Sequence, residues 1–156
     1  MRSLILGLGL SLGLVMACTP PAATPPADTQ EASAAPALDA VSEAVLAGLT
    51  PTITTEIGAP VQLQATVVNV QDGWAYVVAQ PRNPDGSAID WTTTNLASRY
   101  ENGVMDTGGG VHALLKNESG TWTVVEHVIA PTDVAWEAWP ATHGAPATIF
   151  AGPATP

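Results

Sequence analysis

The side chains with which this chain could do chemistry are few in kind: three histidines, fourteen carboxylates, one thiol and five tryptophans. Zinc sites take about four His, Cys or carboxylate ligands at set spacings, and His112, His127 and His143 show neither an HxH nor an HxxxH spacing. A three-residue loop in the hairpin that carries His112 and His127 would put His112 opposite Glu126. A four-residue loop would put the two histidines on one face, and in either case a surface pair is the simpler reading than a ligand set. Asp85, Asp90, Asp106, Glu126 and Asp133 are the carboxylates near turns, but nothing in their spacing sets the separation that paired acid–base work requires. The run Asn83 to Asp90 gathers oxygens around Gly86 without the register or the distal Glu of a calcium loop, so it reads as a tight turn. No serine lies in a nucleophile-elbow motif. Cys18 is the sole cysteine, so nothing after it can form a disulfide, a thiolate metal site or a thiol nucleophile. These patterns predict no catalytic residue, no cofactor and no metal, and a protein that is not an enzyme.

The tryptophans are the unusual feature. Trp74, Trp91, Trp122, Trp136 and Trp139 stand against a single Phe. They either fill the core of a small domain or form an aromatic face for a peptide, glycan or lipid chain. The candidate binding face is Trp74, Tyr76, Trp136 and Trp139. The last two are three residues apart, on one side of a helix.

The elements that would position these residues follow from hydrophobic period. Apolar residues at 38, 41, 45, 46 and 49 predict a one-sided helix that Thr50-Pro51 stops. Val61 to Val70 alternates as a half-buried strand, and Trp74 to Gln80 returns from a turn at Gln71-Asp72-Gly73. A three-residue loop, the preferred reading, sets Ala75, Val77 and Ala79 beside Val61, Leu63, Ala65 and Val67, small residues that leave room for a helix. It sets Trp74 and Tyr76 on the other face, beside Val70 and Val68; a two-residue loop swaps the match. A long crossover over residues 81–110 holds a short helix from Asn95 to Val104, capped by Asn95 or Thr94. Val111 to Lys116 and Thr121 to Ile129 form a second hairpin around Asn117 to Gly120. Thr132 and Asp133 start a helix that runs to Trp139, where Pro140 interrupts it and Gly144 stops it. The expected fold class is α+β. An N-terminal helix lies on a four-stranded antiparallel sheet, two hairpins with a long crossover, and a short C-terminal helix follows.

Outside this domain, placed at residues 38–150, composition changes. Residues 1–17 carry one positive charge, Arg2, before an apolar run of about thirteen residues, the layout of a secretory signal peptide and too short to span a bilayer. Residues 18–37 are rich in Pro and Ala with no apolar period and read as a disordered spacer, on the order of 55 Å at full stretch. Residues 151–156 read as a loose tail. After residue 17 stand three basic residues and 14 acidic ones, a balance of −11. That field excludes phosphate backbones and so nucleic acid as a partner.

Val15-Met16-Ala17-Cys18 resembles the lipobox of bacterial lipoprotein precursors. The resemblance implies cleavage before Cys18 and acyl chains, such as palmitate, on its thiol. Two or more chains anchor a protein firmly where one holds only marginally. Thr19, where Gram-negative lipoproteins retained in the inner membrane carry Asp, implies the periplasmic face of the outer membrane in a Gram-negative source. The stretches DGWAYVVAQPRNPDGSAIDW and WTVVEHVIAPTDVAWEAWPATHGAPATIF resemble a family of small exported bacterial proteins without an assigned function, and the order of elements is similar to cystatin-like and NTF2-like folds. Residues and resemblance together predict a non-enzymatic envelope lipoprotein. Its membrane partner is reached through lipid on Cys18, and its α+β module meets an envelope protein or a cell-wall component. The alternative is a periplasmic lipoprotein that binds a small molecule or lipid in a pocket between sheet and helix.

Overall fold

A computed structural model describes residues 39–106, 108 and 110–151. The signal segment, Cys18, the linker up to Leu38 and residues 152–156 of the tail lie outside the described residues, as do Thr107 and Gly109.

The chain enters helix α1, Ala40–Ile57, through Asp39, whose carboxylate accepts the backbone N–H of Ser42 at 2.8 Å. That hydrogen bond satisfies one of the N–H groups a helix start leaves unpaired and holds the Asp39 carboxyl below its usual range. The helix does not stop at Pro51; it continues to Ile57 and ends on Gly58 in the left-handed conformation, φ 82°. Pro51 removes the N–H that would bond the carbonyl of Ala47, at a cost of about 3 kcal/mol. The two further turns bury Ile53 and Ile57 completely. Two fully buried isoleucines contribute roughly 3–6 kcal/mol, so burial outweighs the proline.

The sheet is a four-stranded antiparallel meander in the order β1-β2-β3-β4: β1 Gln62–Gln71, β2 Trp74–Arg82, β3 Val111–Glu118 and β4 Thr121–Ile129. This is the expected α+β class, with the long connection returning to the neighbouring strand. The loops differ from expectation. Gln71 pairs with Trp74, so the first loop has two residues, Asp72 (φ 52°) and Gly73 (φ 75°), and both sit where φ is positive. Such a turn matches the twist of the flanking strands. With that loop alone, Leu63 and Ala65 would fall on the face opposite Ala75 and Val77. A bulge at Thr66, between Ala65 and Val67, adds one residue and reverses the faces halfway along β1. Leu63, Ala65 and Val68 therefore pack with Ala75, Val77 and Ala79 under α1, and Val67 lies on the other side with Trp74 and Tyr76. Tyr76 faces Asn69 rather than a valine, and Trp74 faces Gln71.

The second hairpin also turns in two residues, Ser119-Gly120, and β4 carries a bulge at Val125. His112 consequently pairs with Val128 and His127 with Ala113, so neither predicted histidine arrangement occurs. The first core lies between α1 and the sheet. Val45, Leu49, Ile53 and Ile57 meet Val77, Ala113, Leu115 and Ile129, all fully buried. Gly48 lets the helix close on β4, since a Cβ there would lie 2.6 Å from the carbonyl oxygen of Trp122.

The crossover covers the far end of this core with Leu96 and Met105. Its helix α2 is only Ala97–Glu101, with Leu96 at the cap position. Asn95 is engaged elsewhere: its N–H donates to the carbonyl of Ile57, and its side chain lies against Gly58. After β4 the chain makes a 3₁₀ turn, Ala135–Ala138, helix α3, Trp139–His143, and a second 3₁₀ turn, Ala147–Phe150. Pro140 stands in the first turn of α3, so it begins that helix instead of breaking one. Gly144 stops it as expected, at φ 69°.

Candidate functional site

The sheet face turned away from α1 is covered by the C-terminal segment, and the four candidate residues meet there. Tyr76 and Trp139 are buried at 4% and 3% exposure; Trp74 and Trp136 are half-buried at the rim. Alternation along β2 points Trp74, Tyr76 and Val78 to this side, and alternation along β3 adds His112 and Leu114. The return of the chain supplies Trp136, Trp139, Ile149 and Phe150.

The contacts are specific. The Trp136 ring lies flat on His112, with centroids 3.7 Å apart and planes within 1°. Nδ1 of that imidazole shares a hydrogen bond of 2.7 Å with the Tyr76 hydroxyl. Phe150 packs on Tyr76 at 4.6 Å between centroids and edge-on to Trp139 at 6.4 Å. Polar ties hold the segment down. The Asn69 amide donates to the carbonyls of Ile149 and Ala151 at 2.7 and 2.9 Å. The Thr148 hydroxyl donates to the Gln71 side chain at 2.6 Å, and His143 pairs with Glu126. At the open edge, the Lys116 ammonium sits 5.0 Å above the centre of the Trp74 ring, within cation–π range.

Burial sets the protonation states. It pushes the Tyr76 phenol up to about 12 and lowers the His112 imidazole. Both groups are therefore uncharged at neutral pH: a neutral imidazole stacks on the indole and shares its hydrogen bond with a neutral phenol. One imidazole face and Nδ1 are occupied within the fold, so His112 serves to hold Trp136 and Tyr76 together.

The other candidate groups are dispersed. His127 pairs with Glu56 of α1 on the opposite face of the sheet. Asp85 is tied to the hydroxyl and backbone N–H of Ser87 within the Asn83–Asp90 turn, which holds its carboxyl below the usual range. Asp90 caps the 3₁₀ turn Trp91–Thr93 through Thr92, and Asp106 accepts the N–H of Gly108. Glu126 is taken by His143, and Asp133 is exposed. Among the described residues no three His, Cys, Asp or Glu side chains converge as metal ligands. Trp91 and Trp122 pack against the first core, away from the aromatic layer. Fully buried side chains fill the centre of the space between α1 and the sheet, and at its β1 edge Asp39, Val41 and Ser42 at the helix start and Val68 and Val70 of the strand line a cavity of about 410 Å³.

Two participants escaped the sequence reading. His112 alternates with Leu114 in VHALL, and the pairing of β3 with β2, Val78 opposite His112, puts it on the face with Tyr76. Phe150 stood at the expected domain edge, and its neighbour Ile149 at 2% exposure marks the segment as part of the fold. No family model, curated protein or solved structure matches the chain. No helix of the described residues is long and apolar enough to cross a membrane.

Proposed function

We propose that this chain is a non-enzymatic envelope lipoprotein, anchored through lipid on Cys18, whose α+β domain is a binding module for an envelope protein or cell-wall component. The observation that supports binding over catalysis is the engagement of all three histidines within the fold: His112 with Tyr76 and Trp136, His127 with Glu56, His143 with Glu126. Each holds one part of the structure to another, and none is aimed at a nucleophile. The partner face on this reading is the rim of the aromatic layer, where Trp74 and Trp136 are half-buried and Lys116 adds a positive charge to an acidic protein. Indoles are enriched at the centre of interfaces, with charged groups such as Lys116 placed at their rim.

Labelled palmitate in a lipoprotein-processing host tests the anchor. Label should enter the wild-type chain and be absent from Cys18→Ala; absence from both overturns the anchor. A photocrosslinking residue at position 74, compared with one at exposed Thr55 on the outer side of α1, tests the face. Adducts from position 74 alone support it, and equal adducts from both positions overturn it.

A further inference from the structure

Where β2 ends and the crossover begins, Gln80, Arg82, Ile89, Trp91 and Tyr100 line a cleft of about 380 Å³. The volume falls in the range of small-molecule sites. The cleft joins two kinds of group. Trp91 and Tyr100 offer aromatic rings, and the Gln80 amide and the Arg82 guanidinium offer hydrogen bonds. Arg82 is one of four basic residues in the whole chain, against 14 acidic ones. In so acidic a protein a guanidinium is expected to have a carboxylate beside it. Among the described residues, however, the only ion pairs are His127–Glu56 and His143–Glu126. Asp85 and Asp90, the nearest acids in sequence, bond instead to Ser87 and Thr92. The positive charge is therefore left for a ligand.

We propose that this cleft binds a carboxylate-bearing sugar. Arg82 takes the carboxylate through its two-pronged donor geometry. Gln80 bonds the hydroxyls, and the Trp91 and Tyr100 rings cover the apolar face of the sugar ring. Charge selects a single carboxylate over a polyanion, because one guanidinium faces the summed field of the acidic chain. Topology selects a sugar over an extended peptide. At the cleft Gln80 pairs with Gln64 and Arg82 with Gln62, and on the side that β3 leaves open beyond Ala79 Arg82 bridges to Ala88 and Pro81 has no N–H to offer. Those backbone groups are used, so a peptide has no edge to join by strand addition. The site lies beside the aromatic layer, with the Gln80 amide and His112 Nε2 both close to Gly110, and does not depend on the anchor.

The test uses the full chain carrying Cys18→Ala, with methyl galacturonoside, which carries one carboxylate, as the probe and backbone amide shifts as the readout. Saturable shifts centred on Gln80, Arg82 and Trp91 are expected, with Kd on the order of 0.1–1 mM. The methyl ester of the probe, which lacks the charge, should bind at least about tenfold more weakly, and Arg82→Gln should weaken the acid to the same degree. Thermal unfolding of Arg82→Gln checks that the fold is kept, and Arg82→Lys provides a second variant that retains charge but loses the fork. Equal binding of acid and ester overturns the proposal, as does binding unaffected by Arg82→Gln or shifts centred elsewhere. Acetate or N-acetyl-alanyl-alanine binding as tightly as the sugar acid overturns the assignment to a saccharide. Loss of sugar binding with the palmitate label intact would reject the cleft and leave the lipoprotein reading standing.

Discussion

Gly48→Ala pits local preference against tertiary fit. Position 48 is in the interior of α1, where replacing Gly by Ala on propensity alone stabilises a helix by about 1 kcal/mol. The structure predicts the opposite sign. The new Cβ would lie 2.6 Å from the carbonyl oxygen of Trp122, 3.0 Å from its Cβ and 3.3 Å from its carbonyl carbon. Those are atoms of β4 that no side-chain rotation can move. Restoring ordinary contact requires α1 to withdraw by roughly 0.5–1 Å, and a gap of that width forfeits a quarter to a half of the dispersion attraction across it. The residues that lose contact are Val45 and Leu49, both fully buried against the sheet. Overpacking costs about 1–3 kcal/mol. With a rigid backbone as the obstacle the upper end applies, and the propensity gain reduces it to a net loss of about 2 kcal/mol. At about 4–8 °C per kcal/mol the melting temperature falls by about 8–16 °C. Calorimetry of the chain reads it directly, and urea titration should move the midpoint without changing the slope. Ala47→Gly, exposed and one residue earlier, should cost only about 1 kcal/mol. A melting temperature that rises in Gly48→Ala would refute the close approach of α1 to β4 and with it the register that places Trp122.

Pro51→Ala should restore the missing N–H in the middle of α1 and stabilise the domain by about 1–3 kcal/mol in urea unfolding; a loss would mean that the proline has a packing role the helix geometry does not account for. Trp139→Ala should cost about 3–5 kcal/mol, whereas Trp74→Ala, at the half-buried rim, should cost under about 2 kcal/mol and reduce partner capture; the reverse order of melting temperatures would show that the C-terminal segment does not cover the sheet. In a Tyr100→Phe chain, ultraviolet titration should show the Tyr76 phenolate only at about pH 12, and stability should fall as pH rises from 10 towards that value, because the unfolded chain releases the proton first. His112 acts in the opposite direction. Its lowered folded value means that its contribution is complete above about pH 6.5 and declines as pH falls through the window below it, where the unfolded chain binds the proton first; His112→Gln should flatten that part of the urea-midpoint profile.

Local pattern alone was enough for the class of fold and the strands. The apolar positions 41, 45, 46 and 49, the alternation after Val61 and the turn signals at 71–73 and 117–120 are short-range, and the helix and hairpins they imply are present, with loops shortened to residues 72–73 and 119–120. The continuation of α1 was also legible, since Leu49, Ile53 and Ile57 repeat at four-residue steps. Pro51 obscured it because a proline's cost is local while the burial that offsets it depends on the sheet. Loop lengths and bulges were not legible. A two-residue turn and a bulge at Thr66 together deliver nearly the same helix-facing residues as a longer turn, so patterning cannot tell them apart, while hydrogen-bond register can. That register carried His112 away from Glu126 and His127 and onto the face with Tyr76. The aromatic layer depends on a still longer-range event, the return of residues 132–151 across the sheet. Trp136 stacks on His112 and Asn69 holds Ile149 across gaps of 24 and 80 residues, which no window of sequence spans. The same holds for the cleft at Arg82. Its guanidinium and the Trp91 and Tyr100 rings come together only because the crossover folds back over the end of β2, where one of the few basic residues of an acidic sequence becomes a charge with no carboxylate in ion-pair distance among the described residues.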